Sequence, residues 1–141
     1  MADIPVVVAS IRPLNNAVIR RGQAAEALTP GQAVYLDGAN GWRPTDADFI
    51  AAAQGRGVVI SDSVGSVAFA AGSRVDIVTY GPVTGFTGMT PGGAVFNSVN
   101  AGVMDQVAPA LQGDFPYVMG YAESAVTIFV NPQVTIPVVN P

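Results

Sequence analysis

The side chains that carry most enzymatic reaction chemistry are missing from this chain. His, Lys and Cys are absent, and all six cations are Arg. Without His there is no general base tuned to physiological pH, no catalytic triad and no imidazole metal ligand. Without Lys there is no Schiff base and no P-loop lysine, and without Cys no thiol nucleophile, disulfide or thiolate metal site. Catalysis would have to rest on carboxylates, Tyr, Ser, Thr or Arg. Asp46 and Asp48, at the start of a short helical pattern, are the one close pair; acids at that place ordinarily complement a helix dipole. The remaining acids are widely spaced and identify no second carboxylate of a dyad. Gly55-Arg56-Gly57 opens like a dinucleotide fingerprint, but its sixth position is Ile60 and a strand pattern follows. Trp42, with Tyr35 and Arg43 nearby, reads either as a hairpin residue capping the core or as a stacking platform or interface anchor. The expectation is no enzyme, no cofactor and no metal.

The elements that would hold any site are β throughout. Candidate strands are 33–36, 58–61, 67–70, 75–80, 94–97, 117–121 and 125–130, separated by Gly, Pro and Asn joints. In Arg74-Val75-Asp76-Ile77 the polar and apolar residues alternate, as in a half-buried strand. The one helical candidate runs from Thr45 to Gln54, with Thr45 as N-cap, Asp48 at N3 and Gly55 as terminator.

One phrase occurs twice. Leu28-Thr29-Pro30-Gly31-Gln32-Ala33-Val34-Tyr35 returns as Met89-Thr90-Pro91-Gly92-Gly93-Ala94-Val95-Phe96. Pro pre-sets the turn, Gly completes it and a short strand follows. A single β unit used twice is the expectation, with Thr29, Pro30, Gly31, Thr90, Pro91 and Gly92 as structural turn residues.

Charged residues make up 11% of the chain against about 25% in ordinary soluble domains, while half is apolar. The long charge-free runs are broken by Gly and Pro and cannot form a spanning helix, and Met1-Ala2-Asp3 lacks the basic region of a signal peptide. The expectation is no membrane. A net charge of −4 with only one adjacent cation pair, Arg20-Arg21, argues against nucleic acid. Low surface charge fits either a neutral β surface or one covered by partners.

Both ends read as arms. Pro5 and Pro13 bracket a β-branched run, and Pro132, Pro137 and Pro141 punctuate another. Such segments favour extended edges. They either close the domain's own sheet or lie on a partner, which makes Val6, Val7, Val8, Ile11, Val134, Ile136 and Val138 candidate interface residues, together with Trp42. The fold class expected is all-β: a jelly-roll-like β-sandwich or barrel with extended N- and C-terminal arms and at most one short helix. Residues 1–13 form the N-terminal arm, 14–132 a single β domain of two related half-units at about 22–83 and 84–132, and 133–141 a Pro-rich C-terminal arm.

Gly81-Pro82-Val83-Thr84-Gly85-Phe86-Thr87-Gly88-Met89-Thr90-Pro91-Gly92, followed by a short aromatic strand, resembles small bacteriophage head proteins that cement or decorate the capsid. The ending Ser124-Ala125-Val126-Thr127-Ile128-Phe129-Val130-Asn131-Pro132 resembles the end of that domain, so the likeness spans roughly residues 22–132. It implies a protein on the outer surface of the virion, made in the host bacterial cytoplasm, that bridges neighbouring major capsid protein subunits and acts as a homo-oligomer, dimer or trimer. The family brings no catalytic residues. Its turn motif maps onto Thr29-Pro30-Gly31 and Thr90-Pro91-Gly92. With no Lys to form an isopeptide, the cementing implied is non-covalent. The same phrase occurs in phage fibre and tail appendages, so the alternative is a module that binds a host surface glycan or protein.

Overall fold

A computed structural model describes residues 3–62 and 64–141. The strands are β1 (Arg12–Pro13), β2 (Val18–Ala24), β3 (Ala33–Leu36), β4 (Gly41–Pro44), β5 (Gly57–Val59), β6 (Arg74–Thr84), β7 (Ala94–Asn97), β8 (Met104–Asp105), β9 (Val118–Ala122) and β10 (Thr127–Val130). A 3-10 turn covers Val8–Ser10, and the helix α1 covers only Ile50–Ala53. The fold is all-β and barrel-like.

Pairing closes the chain into two rings. In the first, β2 pairs β4 in parallel, β4 pairs β3, β3 pairs β5, β5 pairs β6, and β6 returns to β2. Its interior holds Leu28, Val34, Trp42, Val59, Val75 and Ile77. The second ring starts from the C-terminal end of β6 and runs through β10, β9, β7 and β8. The N-terminal segment closes it. Asp3 bridges Asp105, Ile4 N–H donates to Met104 O at 2.8 Å, Val6 bridges Phe86, and Val7 N–H donates to Gly85 O at 2.8 Å.

The repeated phrase forms equivalent turns. Gly31 N–H donates to Val59 O and Gly92 N–H to Ala122 O, each at 2.7 Å. Both glycines sit at positive φ, 91° and 85°, where a side chain is strained. Val34 then lies opposite Gly57, and Val95 opposite Gly120, and both valines are fully buried. The same register matches Val59 with Ala122, Ile77 with Ile128 and Trp42 with Met104 inside their rings.

Several expectations change. Thr45 is not an N-cap: α1 begins after Phe49 with no side-chain cap, and Thr45 is buried with its hydroxyl unpartnered among the described residues. The 67–70 segment makes only one bridge, Leu28 to Phe69. Residues 3–13 are not a free arm, because Ile4 and Ile11 are buried in the second ring's core and β1 pairs β6. Met1 and Ala2 lie outside the described residues. β2 and β4 were not expected as strands. β2 exposes residues on both faces and so lacks apolar alternation, while β4 carries Gly41 and Pro44.

Trp42 sets the identity of residue 22. A Cβ on Gly22 would collide with the indole. Gly22→Ala is expected to destabilise by about 1–3 kcal/mol and Trp42→Ala by about 3–5. In the double variant the Gly22→Ala cost should largely vanish, a coupling readable by urea denaturation. Strict additivity would refute the packing account.

Candidate interaction surfaces

Three of the carboxylates are bound up in turns. Asp37 accepts N–H groups from Ala39 and Gly41 and the Arg43 guanidinium at 2.8 Å, and the Arg43 bond holds its pKa below the ordinary range. Asp62 accepts from the Ser66 hydroxyl and N–H, which likewise lower its pKa. Asp46 accepts the Asp48 N–H at 2.9 Å; desolvation pushes its pKa up, helped by the neighbouring charge of Asp48. Among the described residues no three metal-ligating side chains gather. The surface grooves are open. The one holding both Asp62 and Asp76, about 240 Å³, intersperses them with Arg21 and Arg74, a neutralised arrangement. No helix among the described residues is long and apolar enough to cross a membrane.

Sequence reasoning placed the interface candidates unevenly. Ile11 and Trp42 are corrected: both are buried in the protein's own cores, where ring closure uses their apolar area. Val6 also packs on the core, against Gly31. Val7 is exposed and Val8 half-buried. Val134, Ile136 and Val138 are 91%, 69% and 80% exposed.

That exposure is held in place by a clasp at each end. Gln133 N–H donates to Val118 O at 3.0 Å while its side-chain oxygen accepts from Val118 N–H at 2.8 Å. The Tyr117 hydroxyl bonds Gln133 O and the Arg56 guanidinium, and burial raises the Tyr117 pKa. At the far end Asn140 N–H donates to Asp114 O, and its side-chain amide to Pro109 O at 2.7 Å and Leu111 O. Between the clasps Pro137 is buried, and among the described residues no backbone group of 134–139 pairs with another backbone group. The result is an apolar strap whose backbone has no backbone partner among the described residues, with Thr135 O accepting from the Gln133 side-chain amide at 3.3 Å.

No family model matches the chain, and no curated protein matches it. Its surfaces therefore carry the functional argument.

One surface was missed by sequence reasoning. Tyr80 on β6, Phe129 on β10 and Tyr121 on β9 form a ladder across adjacent strands. Tyr121 and Phe129 stack at 5.3 Å, and Tyr80 meets Phe129 edge-on at 5.1 Å. Val18 lies opposite Tyr80 and Ala94 opposite Tyr121, extending an uncharged stripe. The alternation Ile128-in, Phe129-out in β10 was the available signal; the cross-strand register that joins the rings was not.

Two outcomes follow. Asp46 has a folded pKa above its unfolded one, so its contribution to stability is present at low pH and lost as pH rises through the folded value. Asp46→Asn is therefore expected to stabilise at pH 7 by less than about 1 kcal/mol, with the gain vanishing below about pH 3, near and under the ordinary carboxylate pKa. Thermal melts across pH read this, and a gain that persists at low pH would contradict it. Deleting residues 1–11 should remove most of the stability, since losing two buried Ile alone costs roughly 3–6 kcal/mol. Deleting 134–141 should cost only about 1–3 kcal/mol, mainly clasp hydrogen bonds. Equal losses in urea titrations would refute the assignment of the two ends.

Proposed function

We propose that the chain is a structural virion protein that binds the outside of a phage head and non-covalently cements neighbouring major capsid protein subunits, as a homo-oligomer. The strap carries the reading. It presents Val134, Ile136 and Val138 to solvent, on backbone with no backbone partner among the described residues, beside a body whose strands are closed into rings. An extended apolar segment with free N–H and C=O groups gains burial and backbone hydrogen bonds together when it lies on another protein. The clasps hold it out beforehand and so lower the ordering cost of binding. The resemblance of residues 81–92 to capsid-cementing proteins supports the same reading, as does the low surface charge.

The alternative, a phage fibre, tail or adhesion module that binds a host surface glycan or protein, has less support. Trp42, the side chain that would have offered a stacking platform or anchor, is buried in the first ring's core.

The test is occupancy on expanded heads that lack their decoration. The triple variant Val134→Ser, Ile136→Ser, Val138→Ser keeps both clasps and should fold normally. Its occupancy, read by cryo-microscopy, is expected to fall at least tenfold, with the thermal stability of the particle falling toward that of bare heads. Full occupancy by the variant, or failure of the wild type to bind heads at all, would overturn the proposal.

A further inference from the structure

The cations are unevenly placed. Arg12, Arg20, Arg21 and Arg74 all lie on β1, β2 or β6, and no Arg follows Arg74 in the sequence. Residues 12–21 run along one side of β6, from the Arg12–Thr84 pair to the Arg21–Asp76 pair. Leu14, Val18 and Ile19 are 46–47% exposed on this ridge. Arg21 is bonded to Asp76, but among the described residues neither Arg12 nor Arg20 has a carboxylate within ion-pair distance.

A second surface has the opposite character. The turn leading into α1 and the first residue of the helix expose Phe49 at 64% and Ile50 at 47%, next to Asp46 and Asp48. It is anchored to the second ring, with Ala47 N–H donating to Ser98 O and Phe115 N–H to Ala47 O. Asp48 has no cation partner among the described residues, and desolvation already disfavours the charge on Asp46.

We infer that this chain self-associates head to tail, the Arg12–Arg21 ridge of one copy receiving the Asp46–Ile50 corner of the next. The ridge combines exposed aliphatic area with Arg12 and Arg20, neither within ion-pair distance of a carboxylate among the described residues although Arg12 lines a groove with Asp62, and the corner combines exposed Phe49 and Ile50 with two carboxylates. Each copy carries one patch of each kind, so the complement of either is another copy of the same chain. Burying Leu14, Val18 and Ile19 against Phe49 and Ile50 supplies the apolar core, and the Arg–Asp pairs fix register at the rim. Arg suits this better than Lys, because its planar fork can engage a carboxylate through two bonds. Such a contact is heterologous, so it propagates until rotation closes it into a ring and it does not stop at a two-fold dimer. The inference deepens the homo-oligomer part of the proposed function, but it is tested on the isolated protein, so its failure and failure of shell binding are distinguishable.

Two experiments decide it. First, masses are measured by light scattering at micromolar concentration and low salt. The wild type is expected to exceed two copies. Arg12→Glu/Arg20→Glu and, separately, Asp46→Lys/Asp48→Lys should each be monomeric. Mixed one to one they should assemble beyond two copies again, because the intact Asp corner of one variant meets the intact Arg ridge of the other and the Lys corner meets the Glu ridge with the charges exchanged. A monomeric or two-fold dimeric wild type, variants that assemble normally, or a mixture that does not pair would overturn the inference. Second, since the chain has no Cys of its own, Ile19→Cys and Phe49→Cys report contact under mild oxidation. The two single variants mixed together should form a disulfide-linked pair, whereas each alone should not. Cross-linking of either single variant with itself, or none in the mixture, would equally overturn it.

Discussion

β6 belongs to both rings, and the rest of the structure is arranged around that sharing. Its eleven residues span about 36 Å, longer than one small barrel is tall. Val75 and Ile77 fill the first ring, while Val83 joins the core of the second. The handover falls at Gly81, whose φ of 113° and approach to the Ala17 backbone leave no space for a side chain. A strand of this length needs partners along both flanks. β5 and β10 divide one flank between the rings, and residues 12–23 serve the other as β1, a turn and β2. The duplicated Thr-Pro-Gly turns then bring each half's strands to the same depth on this shared element.

Ring closure also explains why so few charges suffice. Open sheet edges are usually guarded by Lys, by bulges or by Pro, because an unpaired edge recruits other chains. Here the two rings pair most edges internally, and the guard that Lys would provide is not needed. The N-terminal segment is part of that closure: it binds β8 on one side and residues 85–87 on the other. A stretch without backbone partners among the described residues lies at the other terminus, between two clasps, where Pro137 keeps it from joining the body as a regular strand. Protection against indiscriminate pairing and provision for a chosen contact are therefore separated in space.

The parts of this fold that were legible in the sequence are those fixed by local chemistry. Residues 33–36 and 94–97 follow a Pro-Gly turn with apolar residues, and both are strands with those bounds. The Pro-punctuated C-terminal segment was legible as lying outside the regular strands, and Val134, Ile136 and Val138 in it are exposed. What failed depended on partners distant in sequence. β2 has little apolar alternation and is a strand because β6 pairs it; its bulge between Val18 and Ile19 further blurs the pattern. The same β-branched signal that marked the C-terminal strap also marked Val6 and Ile11, and nothing in their spacing separates a stave from an arm. Thr45 through Ala53 has helical composition, but ring connections take up the first residues and leave α1 four long. The aromatic ladder needs three strand registers at once, which no single segment encodes.

On the proposed reading, the strap and the two charged patches act at different levels. A strap that buries three aliphatic side chains gains only a few kcal/mol gross at about 25 cal/mol per Å², and association costs remove much of it. A single copy would hold a shell weakly. Head-to-tail association changes the arithmetic, because a ring presents several straps at fixed spacing. After one strap engages, the others bind as intramolecular events, and avidity can exceed the single-strap affinity by about 10²–10⁴ without any new contact. The gain exists only where capsid subunits repeat at a matching distance, so free subunits and unexpanded shells of different spacing are discriminated against by geometry. Weak straps then become an advantage: each can detach and re-engage while the ring stays bound, which allows decoration to correct its own placement before the shell is fully covered.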